Sequence, residues 1–119
     1  MHRVLVVDDE LSIARALERW LTRLGVEVVV LTDLTQFERV FTREQPTLVI
    51  CDYLMPGMDG VRVLASARRL APQVRRCLLS GTLAMVTAEQ RASIEPCVFI
   101  DKPWDSDTLA RQLGLDGAA

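Results

Sequence analysis

Short apolar runs alternate with amphipathic stretches along the whole chain. Arg3–Val7 is a β-branched run of the kind needed by a strand buried on both faces. From Leu11 the apolar residues spread out as Ile13, Leu17, Trp20, Leu21 and Leu24, one stripe of a helix, and Gly25 is placed to stop it. Val26–Leu31 reads as a second strand. Asp33 and Gln36 have the spacing of a capping box, predicting a helix that turns Leu34, Phe37, Val40 and Phe41 inward and ends at Pro46. Thr47–Cys51 is the third strand. Val61, Leu64, Ala67 and Ala71 mark the next helix, closed by Pro72, and Val74–Leu79 the fourth strand. Met85–Ile94 predicts a helix with the weakest apolar pattern of the five, and Cys97–Ile100 the last strand. Asp105 as N-cap, with Trp104 and Leu109 as a hydrophobic staple, opens a final helix near Ser106. The terminal Gly-Leu-Asp-Gly-Ala-Ala predicts fraying, as does the position of His2 at the other end.

Five strand–helix units with short connections predict the α/β class: an open parallel sheet covered by helices on both faces. No linker, repeat or low-complexity tract divides residues 1–119, so one domain is expected. At 119 residues the chain can bury a single real core, and its mix of 50% hydrophobic and 25% charged residues is that of an ordinary soluble protein. A net charge of −2 argues against a nucleic-acid surface, which needs a basic patch. No apolar run approaches the roughly 20 residues that span a bilayer. The opening MHRVLVVDD lacks a signal-peptide pattern, so the cytoplasm is the expected compartment and no membrane partner is expected. Cys51, Cys77 and Cys97 form no CxxC pair and are odd in number, which predicts buried reduced thiols rather than zinc ligands or disulfides.

In such a sheet the loops after the carboxyl ends of the strands gather along one edge, where ligands bind. The first strand ends in Asp8-Asp9-Glu10, the third in Asp52, the fourth in Ser80-Gly81-Thr82 and the fifth in Asp101-Lys102-Pro103. If the first and third strands are neighbours, Asp8, Asp9 and Asp52 share a pocket. Two carboxylates about 5 Å apart repel by roughly 3 kcal/mol at an effective dielectric near 20, so three of them call for a cation. Hard oxygen donors with room for water suit Mg²⁺, or Mn²⁺. Helix N-capping accounts for Asp9 equally well. It accounts poorly for Asp52, after which Pro56 and Gly57 intervene before any helix. It leaves Lys102 unexplained: the chain has thirteen arginines and this one lysine. A compact ammonium on a flexible stem can reach between carboxylate and phosphate oxygens, where a planar guanidinium docks differently.

These motifs resemble the receiver domains of bacterial two-component response regulators, the CheY-like family, over nearly the full length. The matching residues are the acidic pair in VLVVDDE, Asp52 in DYLMPGMDG, the hydroxyl in LLSGT, and DKP after the fifth strand. The resemblance implies a doubly wound (βα)5 sandwich with flavodoxin-like strand order 2-1-3-4-5. It implies that Asp52 takes a phosphoryl group from a histidine kinase or phosphotransfer protein, with Asp9, Asp52 and the backbone carbonyl of Leu54 as direct Mg²⁺ ligands and Asp8 acting through water. Ser80 would bond one phosphoryl oxygen and Lys102 pair with another, while Pro56 and Gly57 shape a loop open to donor and water. Phe99 falls at the family's switch aromatic; plain core packing is the alternative for it, and Leu83, Ala84 and Met85 are either a partner patch or buried. Such a protein is a switch rather than an enzyme acting on other molecules. Its output face lies on the fourth helix, fifth strand and fifth helix, toward a downstream protein or output domain, and a homodimer on activation is within the family's range. Leu54 and Thr82 fall where the family varies and tunes dephosphorylation. Trp104 after Lys102-Pro103 resembles receivers attached to phosphodiesterases of the HD-GYP type.

Other classes fit less well. A flavodoxin-like FMN binder should offer hydroxyls and N–H groups in its first loop, where this chain has Asp8-Asp9-Glu10. A haloacid-dehalogenase-type phosphatase should carry a second aspartate at the position of Leu54. A degenerate receiver should lack a key residue, and none is missing.

Overall fold

The computed structural model describes residues 2–55 and 59–115. Five strands alternate with five helices: β1 Arg3–Val7, α1 Leu11–Arg23, β2 Glu27–Leu31, α2 Phe37–Glu44, β3 Leu48–Asp52, α3 Gly60–Leu70, β4 Arg75–Ser80, α4 Ala88–Ile94, β5 Val98–Asp101 and α5 Ser106–Leu113. All strand pairs are parallel and the order is β2-β1-β3-β4-β5. This is the expected doubly wound sheet.

Side-chain alternation along the strands divides the interior into two layers. Leu5, Val7, Val49, Cys51 and Leu78 face α2, α3 and α4, burying Phe37, Phe41, Leu64, Ala67 and Ile94 against the sheet. Val4, Val6, Leu48, Ile50, Cys77 and Leu79 face α1 and α5, with Leu17, Leu21, Leu109 and Leu113 completing that layer. Both faces of β1 and β3 are therefore covered, which is why those strands read as unbroken apolar runs.

Several local expectations change. Asp33 accepts from the Thr35 N–H and opens a 3₁₀ turn, Leu34–Gln36, ahead of α2; Gln36 does not close a capping box on it. The reciprocal box lies instead at Thr87 and Gln90, and it starts α4 three residues later than the apolar pattern placed that helix. Met85 belongs to a separate 3₁₀ turn, Leu83–Met85, and is exposed, as is Ala84. Gly25 does stop α1, at φ +86°, a backbone conformation that favours glycine. The chain end is better held than fraying allows: Gly114 caps α5 at φ +70°, and buried Leu115 donates to the Ala110 carbonyl. Residues 116–119 of that tail lie outside the described residues. At the other end, the His2 carbonyl accepts from the Glu27 N–H, so the ladder begins before β1. Cys51, Cys77 and Cys97 are free thiols; burial pushes Cys51 and Cys77 far up and Cys97 to about 12, which disfavours the thiolate. Cys97 is only half-buried.

Candidate functional site

The chain winds outward in opposite directions from β1 and β3, and the crevice beyond their carboxyl ends is where an open parallel sheet binds ligands. The Asp8 N–H donates to Leu31 O at 3.1 Å, extending the β1–β2 ladder one residue past the strand. That pins the Asp8 carboxyl in place at 2% exposure, with its Oδ1 accepting from the Glu10 N–H at 2.9 Å. Asp9 follows in the open, and Asp52 ends β3, half-buried. Carboxylate oxygens of Asp8, Asp9 and Asp52 lie within 4.8 Å of one another. Burial pushes the Asp8 carboxyl from 3.8 to about 6; the Glu10 N–H opposes this shift, and repulsion from Asp52 adds to it.

Lys102 comes in from the loop after β5. Its backbone N–H donates to Ser80 O at 2.9 Å, and its Nζ reaches Asp52 Oδ1 at 2.6 Å. The one lysine and three of the acids predicted from separate loops thus meet at one point.

The start of α3 packs against the end of β3. Asp59 caps α3 by accepting the Arg62 N–H at 2.9 Å, and the Gly60 N–H donates to Tyr53 O at 2.8 Å. A Cβ on Gly60 would sit 2.2 Å from the Asp52 carbonyl oxygen, so only glycine allows α3 to start this close to the strand end. Pro56 and Gly57, credited above with the shape of this loop, lie outside the described residues. Leu54, the expected carbonyl ligand, is 56% exposed two residues after Asp52.

Ser80 ends β4, buried, with its Oγ 3.0 Å from Thr82 Oγ1 and accepting the Thr82 N–H at 2.8 Å. Its hydroxyl is engaged with its own loop, and among the described residues no hydrogen bond joins it to Asp52. Phe99 lies on β5 opposite Leu78, half-buried at the edge of the α2–α3–α4 layer. Trp104 packs against Trp20 of α1 at 5.3 Å between ring centroids, and Asp105 caps α5 by accepting from Thr108 as expected.

Three features went unread in the sequence. Thr87-Ala-Glu-Gln90 carries the capping-box signal, and Asp59-Gly60 is a usable helix-start signal. Arg76 has no local signal. Its guanidinium is buried in β4, donating to the carbonyls of Ile94, Val74 and Pro72 at 2.9, 2.9 and 3.2 Å.

The donor set fits a hard divalent cation. All three groups are carboxylates, the nearby Cys51 thiol is buried and held protonated, and the acids converge with only one ammonium among them. Asp8, Asp9 and Asp52 are the residues that would hold such a cation.

The model of the family described as response regulator receiver domain matches residues 4–113. A probable transcriptional regulator, ycf27, of Porphyridium aerugineum is 40% identical over 114 residues, covering 94% of this chain and 46% of that protein. Its counterpart in Cyanophora paradoxa is 43% identical over 67 residues, covering 56% of this chain and 28% of the relative. The chain thus spans less than half the length of these curated relatives. Among solved structures, the response regulator TrrA of Thermotoga maritima in complex with Mg(2+)-BeF superposes with a TM-score of 0.85 at 25% identity, covering 96% of this chain and 97% of that one. The signal receiver domain of an HD domain-containing protein from Pseudomonas fluorescens Pf-5 gives 0.80 at 27% identity, covering 95% and 91%.

Proposed function

Because the chain belongs to the response regulator receiver domain family of two-component signalling, we propose that Asp52 is its phosphoacceptor and that residues 1–119 act as one phosphorylation-driven switch. An Asp52 carboxylate oxygen attacks the phosphorus of a phosphohistidine on a histidine kinase or phosphotransfer protein. The N–P bond breaks, the imidazole leaves with the electron pair and takes a proton from solvent, and Asp52 becomes an acyl phosphate. A divalent cation at the acid cluster, Mg²⁺ by analogy with the TrrA complex, supplies neutralising charge for the phosphoryl oxygens. Lys102 exchanges Asp52 Oδ1 for a phosphoryl oxygen. The Ser80 hydroxyl turns from Thr82 to donate to another. Leu54 offers its carbonyl to the cation and its exposed side chain to the incoming donor. Both the transferred group and the acceptor are negative, so positioning and charge neutralisation do the catalysis.

The response follows from the same contacts. Drawing Ser80 toward the phosphoryl group shifts the loop from Gly81 to Met85, lets Phe99 turn inward and remodels the face of α4, β5 and α5. That face passes the signal to an output domain or separate protein, with dimerisation one form of it. The relatives' greater length supports an output segment in cis for proteins of this kind. The domain works in the cytoplasm and contacts neither membrane nor nucleic acid itself; among the described residues no helix is long and apolar enough to cross a bilayer.

The observation that carries this reading is the 2.6 Å contact between Lys102 and Asp52 inside a cluster of three carboxylates. Intact-mass measurement after acetyl phosphate and Mg²⁺ tests it. One phosphoryl adduct is expected on the native chain, lost with chelator and absent from Asp52→Asn. A native chain that takes no adduct from acetyl phosphate or from a phosphorylated kinase sinks the reading.

A further inference from the structure

One side chain touches both moving parts of the switch just described. Arg91, in α4, places its guanidinium carbon 4.5 Å from the centroid of the Phe99 ring. The same guanidinium donates to Leu83 O at 3.1 Å. Leu83 opens the 3₁₀ turn that follows Ser80-Gly81-Thr82, and like Phe99 it packs against the edge of the α2–α3–α4 layer. No carboxylate pairs with Arg91 among the described residues, so its charge is directed at a ring face and a carbonyl dipole.

We propose that Arg91 is a latch on the resting state, tying the loop after β4 to Phe99 so that neither moves without the other. This rests on the receiver reading and adds to it. A shift of the loop from Gly81 to Met85 toward Asp52 takes the Leu83 carbonyl from the guanidinium. An inward turn of Phe99 takes away the ring face. Both attachments favour the resting arrangement, so losing them moves the two-state balance toward the active one. Arg91 touches none of Asp8, Asp9, Asp52, Ser80 or Lys102, and α4 keeps other anchors: its capping box, Arg76 on the Ile94 carbonyl, and Arg68 on the carbonyls of Ala92 and Ser93.

Beryllofluoride with Mg²⁺, a stand-in for the phosphoryl group, tests the latch by calorimetric titration of the full chain. Arg91→Ala should bind it about fivefold more tightly than the native chain. Arg91→Lys, which keeps the charge but loses the fork, should gain less, and it serves if the alanine variant folds poorly. In a Phe99→Leu background the gain from Arg91→Ala should shrink. Independently of any ligand, the Arg91 side-chain protons should show an upfield ring-current shift that disappears in Phe99→Leu. Absence of that shift overturns the contact itself. Native-like beryllofluoride affinity in both Arg91 variants overturns the latch while leaving the receiver reading intact. A native chain that does not bind beryllofluoride removes the receiver reading, and the latch with it.

Discussion

At the scale of single residues, a carboxyl held by its own backbone cannot move away from an unfavourable neighbour, and Asp8 is in that position. Its N–H continues the β1–β2 ladder, its side chain is buried, and Asp52 faces it across the crevice. Its folded value of about 6 lies above the ordinary 3.8. A raised carboxyl contributes stability that is fully present below its unfolded value and lost as pH rises through the folded one. In metal-free protein the unfolding free energy should therefore fall by about 2 kcal/mol between pH 4 and 7 on account of Asp8. Asp8→Asn should flatten that decline and be the more stable form at pH 7.5 in chelator, as urea denaturation at the two pH values will show. The motif VVDDE was legible as acidic and site-forming, but the burial of one aspartate and the exposure of the next were not. Which of two adjacent acids turns inward depends on the β2 strand beside them.

At the scale of elements, the close approach of α3 to the end of β3 constrains the first residue of the helix. Gly60 is the first residue of α3, where alanine is the better helix former by about 1 kcal/mol. Sterics reverse the sign: the added Cβ would meet the Asp52 backbone, which cannot yield without moving Asp52 itself. Gly60→Ala should lower stability by about 1–3 kcal/mol in denaturant titration and slow adduct formation. Gly81→Ala, with nothing within 4 Å of the new Cβ, should stay within about 0.5 kcal/mol of native. Helix α4 shows the limits of pattern reading. Of its residues only Ile94 is buried, so apolar periodicity had little to report. What holds it is a capping box and arginines reaching its carbonyls from α3 and β4. A buried arginine with carbonyl partners looks, in sequence, like any surface arginine.

At the scale of the whole molecule, the site exists because the loops after β1, β3, β4 and β5 share one edge. Mg²⁺ bound across β1 and β3 should stabilise the folded chain and not the unfolded one. At a hundred times its dissociation constant the gain is about 2.7 kcal/mol, a melting-temperature rise of roughly 10 °C for a domain of this size. Asp9→Asn should abolish most of that rise, measured by thermal scanning with and without chelator. The sequence by itself determined the alternation of strands and helices, the open parallel α/β class and the identity of the strand-end residues. Those follow from periodicity and turn chemistry, which are local. Only the tertiary structure decided which acid is buried, which glycine is indispensable, where Ser80 directs its hydroxyl, and that Arg91 joins Leu83 to Phe99. Each of these depends on distances between segments far apart in the chain, and such distances are set by packing rather than by spacing.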